Sequence, residues 1–258
     1  MERKEITKGS ICQELWDYIE KSNLANFPRP VYHRIPNFKG AELAADRLYS
    51  LPEFTNASIV KIDPDKPLAP CRFIALEQKK TLLVPTPRLK SGLFNEIIPP
   101  AGANRQDLKL CSSAKSVKEF SKPVGLDADV KVDVLVIGAV AVSEKGYRIG
   151  KGEGFTELEW PMMCSMGAVN KDTAVIVTVH DCQVTETPEE VIQDHDLPVD
   201  IIITPTRLIR CHHKFTKPDG IIWSMLSQEK LMQVPILRTL RGIERKAGKY
   251  VLLKEDIH

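Results

Sequence analysis

Between Gly146 and Phe155 the chain reads G-Y-R-I-G-K-G-E-G-F, four glycines and two cations in ten residues. A β-branched run precedes it and a stretch with helical apolar spacing follows, so the segment reads as a strand–loop–helix connection. Glycine permits positive φ and lets backbone N–H groups approach a bound group, while a helix N-terminus favours negative charge. Gly146, Gly150, Gly152 and Gly154 supply the permissive positions, and Arg148 and Lys151 the positive charge. The chemistry this suits is phosphate binding, with Arg148 and Lys151 as the acting residues. The spacing matches neither G-x-x-x-x-G-K-[ST] nor G-x-G-x-x-G, so a plain tight connection is the competing reading. The two cations inside the turn favour phosphate.

Glu157 and Glu159 fall in the first turn of the helix expected next. Carboxylates there complement the helix dipole; alternatively, one is a Mg²⁺ ligand beside bound polyphosphate, since hard Mg²⁺ takes carboxylate and phosphate oxygens together. Asp200, at the start of the run D-I-I-I-T, offers a second carboxylate for the same ion. Other polar residues have plainer readings. His195 reads as structural or solvated, Asp181 is a weak candidate at a strand end, and His212-His213 beside Cys211 lack a full ligand set. Trp16, Trp160 and Trp223 read as core or edge aromatics.

Positioning such a loop requires strands and helices in alternation, and the pattern supplies them. Helices are expected over 7–23 and 40–50, around 158–168 and over 188–194, with Pro161 predicting a kink or late start in the third. Strands are expected at 81–84, 130–142, 174–179 and 200–204, as near-continuous apolar runs suited to a sheet covered on both faces. The fold expected is α/β, layered, with a mostly parallel sheet flanked by helices. Residues 238–258 read as a charged surface helix and tail following a domain at 1–237.

With 258 residues, 43% hydrophobic and 27% charged, the composition is that of a globular chain and excludes a disordered one. A net charge of +2 is too balanced to point to a nucleic acid or a membrane. Six scattered cysteines without a C-x-x-C, and an N-terminus lacking an apolar run, predict a reducing, cytoplasmic setting with thiols as small hydrophobes.

The segments D-V-L-V-I-G-A-V-A-V-S-E-K-G-Y-R-I-G-K-G-E-G-F, H-D-L-P-V-D-I-I-I-T-P-T-R and D-G-I-I-W resemble the 5-formyltetrahydrofolate cyclo-ligase family, from about Lys8 to Leu237. F-P-R-P-V-Y-H-R-I-P-N-F-K-G and K-T-L-L-V-P-T-P-R-L-K-S-G-L-F-N resemble a narrower branch of it. The resemblance implies an ATP- and Mg²⁺-dependent closure of 5-formyltetrahydrofolate to 5,10-methenyltetrahydrofolate. Phosphorylation makes the formyl oxygen a leaving group, N10 attacks, and phosphate departs. The protein's part is positioning and charge neutralisation. Carried onto this chain, the nucleotide site falls on Lys8 and on Arg148, Gly150, Lys151, Gly152, Glu153, Gly154, Phe155 and Thr156. The folate site falls on Lys151, Gly152, Glu153, Gly154 and Phe155, and the metal on Glu157 and Asp200.

The chain departs from the family at several of these places. The family's Lys-x-x-Leu-Arg reads Lys8-Gly9-Ser10-Ile11-Cys12, its Tyr-Tyr-Asp reads Phe155-Thr156-Glu157, and Glu153 replaces a glycine or a cation. Cysteine cannot imitate arginine's bidentate fork; Arg34 and Arg88 are candidate substitutes. The family's substrate-binding glutamate falls near Lys61 to Asp63. Two readings follow: a working cyclo-ligase, or a nucleotide- and folate-binding scaffold without the reaction. A third, association with RNA, comes from longer relatives that carry an RNA-recognition module. Here the tail shows no such aromatic pattern, and Arg238, Arg241 and Arg245 read as a solvated helix face. The sequence sets no oligomeric state.

Overall fold

The structure is a computed structural model that describes residues 6–90, 92–113, 117 and 119–257. Ten strands occur in it: β1 (Ile59–Ile62), β2 (Thr81–Pro85), β3 (Phe94–Ile97), β4 (Ser121–Val124), β5 (Val134–Gly138), β6 (Ala141–Val142), β7 (Arg148–Ile149), β8 (Ala174–Thr178), β9 (Ile201–Ile203) and β10 (Leu208–Arg210). Eight form one sheet in the order β10-β9-β8-β5-β1-β2-β3-β4, and β6 and β7 pair separately as a hairpin. The five central strands, β9-β8-β5-β1-β2, are parallel, and the outer ones are antiparallel. This is the α/β architecture expected.

Why the central runs are continuously apolar is visible in β5. Leu135 and Ile137 join one hydrophobic core, while Val134 and Val136 join the core on the opposite face. Both faces are covered, which favours apolar side chains at every position. The edges differ: β4 carries Lys122 and Pro123 and β10 carries Arg210, which discourage pairing with another chain.

Eight α-helices cover the faces: α1 (Lys8–Lys21), α2 (Ala41–Asp46), α3 (Pro52–Thr55), α4 (Ala69–Glu77), α5 (Arg105–Cys111), α6 (Thr156–Ser165), α7 (Gln228–Gln233) and α8 (Pro235–Lys246). A reciprocal Thr7–Ser10 cap starts α1. Ile11, Cys12, Trp16 and Ile19 of α1 then pack with Val140, Ala141 and Ile149 of the hairpin. That contact places the start of α1 beside the glycine loop.

Four expectations need correction. The 130–142 run is not one strand: β5 ends at Gly138, whose missing Cβ admits Ile35 Cγ2 at 2.5 Å from the vacant position, and the chain turns into the β6–β7 hairpin. Residues 188–194 make a single 3₁₀ turn, Glu189–Val191, because Gln193 N donates to the Asp196 side chain at 2.8 Å and the chain runs on towards Pro198. Helix α6 starts at Thr156, not late, and continues past Pro161, leaving the Glu157 carbonyl without its helical donor. The boundary at 237/238 falls inside α8, and Leu237, Leu240, Val251 and Leu253 all lie in the main core. The C-terminal segment is part of the domain, because its apolar side chains have nowhere else to be buried. All six cysteines are free. Among the described residues no helix is long and apolar enough to cross a membrane.

Candidate functional site

Beyond the C-terminal ends of β1 and β2, where parallel sheets place ligands, a cleft of about 1060 Å³ opens. The start of α1 and residues 32–35 form one wall, the turn after β2 another, and the glycine loop with the N-terminus of α6 the third. The glycines divide by role. Gly152 (φ +90°) and Gly154 (φ +70°) have left-handed backbones, and a Cβ on either would stand in open space. Their bare main chain therefore fronts the cleft. Gly146 (φ +88°) lies elsewhere, with its vacant Cβ position 2.4 Å from Val199 O. It serves packing, which corrects its place among the ligand-facing glycines.

Arg148 lines the cleft, yet its side chain is 4% exposed and its donors are engaged. Nε donates to Gly138 O at 2.8 Å, Nη1 to Glu157 Oε1 at 2.6 Å and Nη2 to Thr156 Oγ1 at 3.3 Å. It buckles the end of β5 to the start of α6 rather than standing free for phosphate. Lys151 is more available, with Nζ 3.1 Å from Glu153 and 3.6 Å from Asp65. Burial alone would depress its pKa; Asp65 and Glu153 outweigh burial and hold it above the usual value. Glu153 therefore faces cations, with Arg88 3.9 Å away on its other side.

Lys8 stands at the head of α1, paired with Asp196, and lines the same cleft. Cys12 is buried below it, Sγ 3.5 Å from Gly150 O, its thiol pushed up to about 11 by burial against the opposing charges of Arg148 and Lys8. Arg34 and Arg88, the candidate replacements for the missing arginine, both line the cleft. Phe155 and Thr156 also line it, at the start of α6.

The expected metal pair does not form. Glu157 borders the cleft, but Asp200 precedes β9 and so sits at the other end of the strands. There it accepts from Val175 N at 2.7 Å, Lys217 Nζ at 2.6 Å and His213 Nε2 at 3.1 Å. Among the described residues no three His, Cys, Asp or Glu side chains gather to hold a metal ion. The residues present do not fit a resident Mg²⁺ held by Glu157 and Asp200. Asp181 is likewise occupied, accepting from Thr204 and Thr206.

A buried charge cluster beneath the cleft escaped the sequence reading. Lys61, fully buried in β1, places its ammonium between the carboxylates of Asp63 and Glu159. Burial opposes the charge on Lys61, but the two carboxylates outweigh it and raise its pKa. Glu159 is pushed up to about 7 by burial, with Lys61 pulling it down and Asp63 raising it. Asp65 is raised chiefly by burial and next by Asp63, against Lys151. Arg72 donates to the carbonyls of Asp63 and Asp65, fixing the turn that presents them. A signal was present: a lysine inside the apolar strand I-V-K-I, followed by D-P-D, demands carboxylate partners.

Five cations and six carboxylates line the cleft, and with Lys61 beneath them the formal charges sum to zero. Such a site suits a ligand that brings part of its own neutralising charge.

Residues 17–205 match the 5-formyltetrahydrofolate cyclo-ligase family. The methenyltetrahydrofolate synthase domain-containing protein of Danio rerio is 57% identical over 248 residues, covering 96% of this chain and 65% of that protein. Those of Mus musculus and Homo sapiens are 54% and 53% identical, with 99% and 97% of this chain covered and 69% and 66% of theirs. The chain thus spans about two thirds of the length of the curated relatives it matches. The solution structure of Aquifex aeolicus 5,10-methenyltetrahydrofolate synthetase aligns at a TM-score of 0.49 and 20% identity, covering 80% of this chain and 93% of that one. With a family match across most of its length and relatives of this identity, the chain belongs to the 5-formyltetrahydrofolate cyclo-ligase family.

Proposed function

We propose that the cleft binds ATP, as its magnesium complex, together with a reduced folate, and that the domain closes 5-formyltetrahydrofolate to 5,10-methenyltetrahydrofolate. The observation that carries this reading is the bare left-handed backbone of Gly152 and Gly154 ahead of α6, facing a cleft of about 1060 Å³. Family membership supports the ligand pair. The neutral lining supports the magnesium complex over free ATP, because the ion travels with its nucleotide and needs no cage of protein carboxylates. Lys8, Lys151, Arg34 and Arg88 are the cations placed to orient phosphate and to offset the charge that develops as phosphate leaves.

Pure protein incubated with ATP, Mg²⁺ and 5-formyltetrahydrofolate is expected to build up methenyl-folate absorbance. No product at high enzyme concentration overturns the reaction. A second reading, binding without turnover, is favoured by one specific observation: Glu157, expected as a metal ligand, is tied to Arg148. Under it, both ligands raise the melting temperature while the absorbance assay stays silent. At a hundredfold excess over Kd a native-state ligand adds about 2.7 kcal/mol, or roughly 5–10 °C for a chain of this size.

A further inference from the structure

On the far side of the segment from Gly154 to Glu157 lies an apolar recess of about 180 Å³. Leu158 and Pro161 of α6 form one wall, and Ile221, Ile222 and Leu226 form the other. Gly154, Glu157 and His195 border both this recess and the large cleft, so the two spaces share a rim. The outer wall is fastened in place. Trp160 Nε1 donates to Pro218 O at 2.8 Å, and Lys230 Nζ donates to Glu153 O at 3.3 Å while lying 5.2 Å over the Phe155 ring. Residues 218–230 fall beyond the 17–205 span that matches the family, so that span supplies only one side of the recess.

Sites for whole drug-sized ligands run about 300–1,000 Å³. The recess is smaller, so it takes one ring system and leaves the rest of a ligand to the cleft. Its apolar walls reject phosphate and carboxylate, which would lose their solvation there. The rim is polar in a particular way. Arg148 engages Oε1 of Glu157, which leaves Oε2 to accept from an amino group. Gly154, on the shared rim, adds no side chain between the two spaces. His195 Nδ1, on the same rim, is buried and has no hydrogen-bond partner, the kind of polar atom that a bound donor satisfies.

We infer that the recess seats the flat, amino-bearing heteroaromatic ring of a ligand whose charged part lies in the cleft, with the amino edge towards Glu157. The inference rests on reading the cleft as a nucleotide and folate site. Purine and pteridine rings share this chemistry, and the test separates them.

The full chain, labelled with ¹⁵N, is titrated separately with adenosine, with a simple pterin, and with tripolyphosphate plus Mg²⁺. A ring ligand should shift the amide signals of Gly220 to Leu226 and of Leu158; tripolyphosphate should shift Gly152 and Gly154 and leave the recess alone. Shifts with adenosine only assign a purine, and shifts with the pterin only assign a pteridine. In Ile222→Trp, which fills the recess, affinity for the active ring should fall at least about tenfold while tripolyphosphate binding stays within about twofold. Leu226→Ala, which widens it, gives the same separation should the larger side chain disturb folding. Neither ring shifting Gly220 to Leu226 at millimolar concentration overturns the recess, whatever tripolyphosphate does. A ring that shifts them while tripolyphosphate leaves the glycine loop untouched upholds the recess and removes the cleft reading.

Discussion

The guanidinium of Arg148 joins a strand end, a helix start and a carboxylate in one buried contact, so its loss should be felt in stability before binding. Arg148→Met leaves Glu157 without its counter-charge and should destabilise the fold by about 3–5 kcal/mol, read from urea denaturation. Exposed Arg88→Met should leave the urea midpoint within about 0.5 kcal/mol and weaken MgATP binding instead. Glu159 makes a different prediction. Its folded pKa of about 7 lies above the ordinary 4.5, so between these values the folded chain holds more protons than the unfolded one. Stability contributed by this group is therefore full below the unfolded pKa and falls as pH rises towards 7. Glu159→Gln should remove that slope. Urea midpoints of both proteins at pH 5, 6, 7 and 8 should diverge across the window and run parallel above it.

The glycine loop shows how an element divides its labour. Gly146→Ala would drive a methyl into Val199 O and strain a left-handed backbone; it should lower stability by several kcal/mol, while the cleft it does not border keeps its shape. Gly152→Ala meets no atom, so its backbone strain of about 1–2 kcal/mol is the main stability effect, and its methyl enters the cleft proposed to hold ligand. Thermal shift with MgATP separates the two variants. The strands were legible in the sequence because burial on both faces of the sheet leaves continuous apolar runs at β2, β5, β8 and β9. The loop was legible because the left-handed φ values at Gly146, Gly152 and Gly154 favour glycine. Two things were not. Asp200 was matched by neighbourhood in the chain, which fixes a residue's identity but not the end of the sheet on which it falls. Of the two partners of Lys61, Glu159 lies 98 residues away on α6, and no local pattern announces a pairing of that range.

The molecule as a whole is closed by its C-terminal segment. Glu244 of α8 accepts from Trp223 Nε1 at 2.7 Å and from Ser165 Oγ at 2.5 Å, tying the last helix to the outer wall of the recess and to α6. Deleting residues 238–258 removes these bonds and uncovers the core that Leu240, Val251 and Leu253 seal. At about 1.5–3 kcal/mol per buried apolar side chain, the loss is comparable with the whole stability of a domain. The truncated chain should aggregate or melt below ambient temperature, as circular dichroism would show.

The matched charges of the cleft have a further consequence. Lys8, Lys151 and Arg88 each already face a carboxylate, so on the proposed reading an incoming phosphate would find an ion exchanger rather than an empty cationic socket. On that reading, phosphate that took Lys151 from Asp65 would leave a carboxylate whose pKa burial already raises without its counter-charge, which favours its protonated form and predicts proton uptake with ligand. The heat of binding, measured in buffers of different ionisation enthalpy, should change with the buffer, and affinity should depend only weakly on ionic strength.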